Sequence, residues 1–258
     1  MDDLEKAASL LRNAEQSKNS CAPVRNLIGD TSIENAYKVQ FINTNYRTET
    51  GAKIVGKKIG LTSFKVQEQL GVNQPDFGVL FDDMQIENGG FLAFAELMQP
   101  KAEAEIAFIL KKDLPKINST LQEVEDAIDY AVAAIEIVGS RITDWDIKIT
   151  DTIADNASAS HFVLGHVKKK LSEIDVVNGV MQLFKNNILY SEGIGKACLD
   201  SPLFATHWLA NKMASLNLPL KAGDIILSGA LGPMVNVEKN DVIRAQVAGL
   251  GEVEVNFV

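Results

Sequence analysis

Apolar residues recur at three- and four-residue spacing over residues 2–16, where Leu4, Ala7, Ala8 and Leu11 share one face, and this predicts an amphipathic helix. A second helix is predicted from Thr31, which stands in capping-box spacing to Glu34, through about Tyr46. GAKIVGKKIGLTS is extended and punctuated by glycine, and FKVQEQLG is a short helix closed by Gly71. PDFGVLFDDM is a turn leading into a short apolar strand, and ENGG (87–90) is a turn or hairpin signal. In PKAEAEIAFIL (100–110) the period changes to two, which predicts a strand. Thr120 and Glu123 again have capping spacing and open a helix, LQEVEDAIDYAV, that passes directly into a strand, AAIEIVGSR. Ser201-Pro202 starts a further helix that continues through Met213. The last forty residues alternate as strands in DIILSG, VIRAQVA and EVEVNFV. The order predicts an α+β fold, with a helical N-terminal region (1–75) packed on a curled, mixed β-sheet core (76–258), rather than regular βαβ units.

Composition narrows the function without naming it. The chain has 258 residues, 46% of them hydrophobic and 23% charged, which suits an ordinary globular protein with a full-sized core. Its net charge of −9 argues against a nucleic-acid surface, although a local cation could still hold a small anion. No apolar run approaches the ~18 residues of a membrane span, so no membrane partner is expected. The acidic, helix-like MDDLEKAASLL does not have the form of a signal peptide. Cys21 and Cys198 are too few and too far apart for a disulfide framework, and they suit a reducing cytoplasm.

The candidate chemistry lies in carboxylates placed where apolar residues belong. Glu103 and Glu105 share one face of a strand, and Glu136 interrupts the apolar AVAAIEIVG. A buried charge must be paired, protonated or metal-bound, and three glutamates suit a hard divalent cation such as Mg²⁺ or Mn²⁺. The alternative is an exposed edge strand, with Glu136 paired to Arg141 or a lysine. The three histidines have no zinc-binding spacing. GAKIVGKK has the outline of a phosphate loop, but Lys58 stands where the magnesium-binding hydroxyl is required, so that motif is rejected. Lys58 is then either a functional lysine or a solvated one, and Asp76 either points into a cavity or makes an Asx turn. DTIADNASAS (151–160) is a polar loop whose donors could hold a carboxylate or serve as caps.

Six segments in order, GKKIGLTS, GVNQPDFGVLF, PKAEAEIAFIL, EIVGSRITDW, DTIADNAS and GDIILSGALGPM, resemble the hydratase/decarboxylase branch of the fumarylacetoacetate hydrolase superfamily, from about residue 31 to the C-terminus. The resemblance implies a β-roll core. It also implies a divalent ion, Mg²⁺ or Mn²⁺, on Glu103, Glu105 and Glu136, with Lys58 and Asp76 as catalytic residues and Ser158 and Ser160 holding the substrate carboxylate. The implied reaction adds water to a small anionic 2-oxo/2-hydroxydienoate substrate, 2-hydroxypenta-2,4-dienoate, giving 4-hydroxy-2-oxopentanoate in meta-cleavage degradation of aromatic compounds. The alternative within the branch is decarboxylation of a vinylogous keto acid, against which Asp76 in PDFG counts. A symmetric homo-oligomer is also implied. CLDSPL (198–203) departs from the C-L-G-H-P-L usual in the family at Asp200 and Ser201, which leaves the preferred substrate tail open.

Overall fold

The computed structural model describes residues 2–258. Helix α1 (Asp3–Ser17) opens under the Asp2 carboxylate, which accepts from Glu5 N at 2.8 Å, and buries Ala7, Ala8, Leu11 and Ala14. After the single turn α2 (Arg25–Ile28), helix α3 (Ile33–Glu49) is capped by Ser32, whose hydroxyl accepts from Asn35 N at 3.4 Å. The cap therefore falls one residue after the predicted Thr31. Strand β1 (Ile54–Gly60), the short helix α4 (Phe64–Leu70) and β2 (Asp76–Phe81) follow, and Gly71 closes α4 at φ 65°. Then come β3 (Gln85–Ile86), β4 (Gly90–Leu92) and the long β5 (Lys101–Leu110).

Thr120 and Glu123 form the predicted capping box of α5 (Leu121–Ala127), but the helix ends there and β6 (Ile128–Val138) begins at once. Residues 128–132 were expected to be helical. They pair instead with β5, in a register that extends from Ile128↔Leu110 to Val138↔Lys101, and this long-range pairing overrides the local helical signal. DTIADNASAS also differs from the predicted loop. It contains most of α6 (Ile149–Ala154), three left-handed residues (Asn156, Ala157 and Ser158) and the start of β7 (Ala159–Leu164). The remaining elements are β8 (Val180–Lys185), β9 (Ile188–Ile194), α7 (Pro202–Ser215), β10 (Ile225–Leu227), β11 (Val235–Asn236), β12 (Val242–Val247) and β13 (Gly251–Phe257).

Two sheets result, giving the mixed, curled architecture expected. The larger runs β2-β1-β10-β5-β6-β7-β3, with β11 added to β5, and the smaller runs β4-β13-β12-β8-β9. β1 lies inside the larger sheet although it precedes residue 76, so the purely helical N-terminal layer ends with α3. One face of the larger sheet enters the main core with Ile59, Ile106, Phe108, Ile135, Ile137 and Ile226, among others. The opposite face carries a second cluster that includes Leu227, Ala107, Val132, Ala134 and Phe162. Among the described residues, no helix is long and apolar enough to cross a membrane.

Candidate metal centre and active site

β5 is an interior strand, between β10 and β6, so Glu103 and Glu105 cannot be edge residues facing water. Both are buried, and Glu136 of β6 lies directly opposite Glu103. Side chains two apart or directly paired share a face. The three carboxylates therefore converge on the face of the second apolar cluster, and each offers an oxygen within 4.8 Å of the others.

Their charge is poorly compensated by the protein. Lys58 is buried too, and its Nζ stands 3.2 Å from Glu136 Oε1 in an ion pair. Glu105 Oε2 accepts from Gly229 N at 2.7 Å, while Glu105 Oε1 and both Glu136 oxygens have no hydrogen-bond partner. Burial first, then Glu136, raises Glu103 to about 7. Burial, Glu136 and Glu103 together push Glu105 well above the usual carboxylate range. Glu136 is raised as well, by burial, with Lys58 opposing. Burial alone would lower the Lys58 ammonium, but Glu136, Asp76, Glu103 and Glu105 outweigh it and hold the lysine above its ordinary value. Converging oxygens, orphaned lone pairs and an all-carboxylate donor set fit a hard divalent cation.

The gap that admits this cluster comes from β10. Its ladder with β5 ends at Leu227↔Ala107, and the GALGP turn then carries the chain past Glu105. Gly229 adopts φ 112°, and a Cβ there would collide with Thr62, so this turn requires glycine. Lys58 lies beside Leu227 on β1, and Asp76 on β2 lies opposite Gly60, two residues from Lys58. Gly56, Lys57 and Lys58 all lie within a strand, in keeping with the rejected phosphate loop. Asp76 is buried and neither of its oxygens has a hydrogen-bond partner. Burial raises it to about 6 against the pull of Lys58.

The serines are placed differently. Ser158 is buried, with its Oγ 3.3 Å from Thr152 Oγ1. Ser160 Oγ is 2.9 Å from His161 Nδ1, and the two line a polar cavity of about 160 Å³ with Lys18, Arg47 and Arg141. Burial, and after it the Lys18 charge, depress His161 to about 4. Sequence reasoning did not find the work done by the neighbouring loop. Asp155 holds the Arg141 guanidinium and backbone N–H, so Arg141 is not the partner of Glu136. Asn156 clasps β2 by accepting from Val79 N at 2.7 Å and donating to Val79 O at 2.9 Å, which fixes the strand that presents Asp76. At the CLDSPL departure, Leu199 and Asp200 are left-handed, Leu199 N donates to Thr62 O at 2.9 Å, and Ser201 caps α7. That segment thus borders the loop that follows Lys58.

Residues 65–258 match the model of the fumarylacetoacetate (FAA) hydrolase C-terminal domain, and the chain belongs to this family. Within it the chain falls in the 2-keto-4-pentenoate hydratase branch. It is 52% identical to the TodF product hydratase of Pseudomonas putida over 254 residues, covering 98% of this chain and 95% of that protein. To the 2-keto-4-pentenoate hydratase of Paraburkholderia xenovorans it is 48% identical over 253 residues, covering 98% and 94%. The solved 4-oxalocrotonate decarboxylase of Pseudomonas putida G7, complexed with magnesium and adipate, superposes with a TM-score of 0.93 at 33% identity, covering 98% of each chain.

Proposed function

We propose that the protein is a divalent-metal-dependent hydro-lyase that adds water to 2-hydroxypenta-2,4-dienoate (2-keto-4-pentenoate) to give 4-hydroxy-2-oxopentanoate, a step of meta-cleavage aromatic degradation. One observation carries this reading: three buried glutamates, two of them with unpartnered oxygens, converge beside Lys58 and Asp76 in a chain about half identical to hydratases of that substrate class. Glu103, Glu105 and Glu136 would hold the ion, and Mg²⁺ or Mn²⁺ suits an all-oxygen donor set. When bound, the ion would supply Lewis-acid stabilisation of negative charge on the substrate's C2 oxygen.

The chain's own groups account for the proton traffic. Lys58, protonated and buried, delivers a proton to C5 of the dienol as the C2 hydroxyl gives up its own to water, which yields the 2-oxo-3-enoate, or it polarises the substrate carboxylate. Asp76, at about 6, is largely ionised at neutral pH and can take a proton from water as its oxygen adds to C4, with C3 accepting a proton in turn. Ser158 and Ser160 are the proposed hydroxyl donors to the substrate carboxylate, and Ser158 is the more deeply buried. The apolar cluster beside the carboxylates excludes water from the rest of that face.

A homo-oligomer is part of the same proposal, supported by the partly exposed Ile109, Tyr130, Leu164 and Ile225 at the margin of the second cluster. The two free cysteines suit a cytoplasmic location. The decarboxylase reading shares the fold, and product analysis separates the two. Freshly generated 2-hydroxypenta-2,4-dienoate should lose its absorbance with Mg²⁺ or Mn²⁺, but not with EDTA, and without CO₂ release. CO₂ release from 2-oxohex-3-enedioate, with no hydration of the dienoate, would reassign the protein as a decarboxylase.

A further inference from the structure

Gly60 is the last residue of β1 and pairs with Asp76. A Cβ on Gly60 would overlap Asp76 Oδ1 and would lie 3.3 Å from Asp76 Cγ and 3.4 Å from Lys58 Nζ, its three nearest neighbours. This environment differs from that of other crowded glycines. A Cβ on Gly56 would meet the backbone of Ile225, on Gly78 the backbone of Asn156, and on Gly193 the backbone of Leu231. Nor does Gly60 have the positive φ that favours glycine at Gly229. Neither the conformation nor the packing of the backbone calls for glycine here. Only the tips of Lys58 and Asp76 do.

We propose that Gly60 is a positioning residue for the hydration reaction. Its missing side chain forms the niche that lets the Asp76 carboxylate lie beside the Lys58 ammonium. The inference rests on the roles proposed above for those two residues. The Thr152 hydroxyl lies near Asp76, but neither carboxylate oxygen has a hydrogen bond of normal geometry. A methyl group at position 60 therefore meets the tip of a flexible side chain and displaces the carboxylate rather than the strands. None of the three nearest atoms belongs to a glutamate, so metal affinity should be kept.

The test compares Gly60→Ala, Asp76→Ala and the double variant with the wild type. Gly60→Ala should fold and keep wild-type Mn²⁺ affinity, while kcat falls about 10²-fold, the loss expected from misplacing a reacting group by about 1 Å, and KM moves by less than about threefold. In the Asp76→Ala background the same change should cost no further activity. It should also lower Tm only where Asp76 is present, a coupling that needs no turnover to be read. Wild-type kcat in Gly60→Ala, or equal losses of kcat and Tm in both backgrounds, would overturn the proposal. Failure of the wild type to hydrate the dienoate would instead sink the functional reading. The Tm coupling, and a crystal structure of Gly60→Ala showing whether Asp76 has moved, would still decide whether the niche exists.

Discussion

Replacing Glu103 with glutamine should make the metal-free protein more stable and make it indifferent to metal. Four carboxylates (Asp76, Glu103, Glu105 and Glu136) face one ammonium (Lys58), so three negative charges are uncompensated when all are ionised. Glu103 is held at about 7 instead of 4.5. At about 1.4 kcal/mol for each factor of ten in proton affinity, ionising it in the folded protein costs about 3 kcal/mol. The folded state binds this proton more tightly than the unfolded state does. Stability therefore falls as pH rises from 4.5 through 7, and the full penalty is present at pH 8. Glutamine cannot ionise and escapes the penalty. For a chain of this size, ~3 kcal/mol is up to about 6–12 °C in Tm. Metal acts in the opposite sense: at 100 times its Kd it should stabilise the wild type by about 2.7 kcal/mol, or roughly 5–11 °C, and Glu103→Gln should lose most of that gain. Thermal melts at pH 8 in EDTA and in MnCl₂ measure both effects. A metal-free variant that melts below the wild type, yet gains as much from Mn²⁺, would refute the argument.

Asp76→Asn should lower kcat by about 10²–10⁴-fold and leave Mn²⁺ affinity within about threefold, as read by steady-state kinetics and calorimetry. Because Glu103 and Glu105 are raised, cation binding must expel protons near neutrality. Mn²⁺ affinity should therefore fall from pH 8 to pH 6, and calorimetry in buffers of different ionisation enthalpy should detect the released protons; pH-independent affinity would contradict this. Arg141→Met leaves Asp155 buried and unpaired and should cost about 3–5 kcal/mol, seen as a lower denaturant midpoint with unchanged metal affinity in the folded protein.

The carboxylate cluster was legible because the anomaly is local: Glu103, Glu105 and Glu136 interrupt apolar strands, and the period of a strand already places the first two on one face. Their environment was not legible. Whether E-x-E faces water depends on β10, from residues 225–227, lying against β5, and no local pattern states that. Lys58 was one of two open readings until the register β1-β10-β5-β6 brought it to Glu136. Residues 128–132 misled because apolar and β-branched residues after a sound capping box suit either a helix or a strand, and only the partner strand decides. Asp155 and Asn156 looked like ordinary members of a polar loop, yet both are consumed internally, by Arg141 and Val79, which a composition-based reading of a loop cannot foresee.

The position of β10 also sets an order of assembly. It is formed by residues 225–227 yet lies between β1, which starts at residue 54, and β5, which starts at residue 101. A nascent chain can form the β5–β6 ladder early, but the larger sheet remains in two pieces until residues 225–227 have been made. Until then Lys58 is not joined to the glutamates through the sheet and Gly229 is not in place beside Glu105. The costly cluster of like charges is therefore closed only late, by the same segment that completes the sheet.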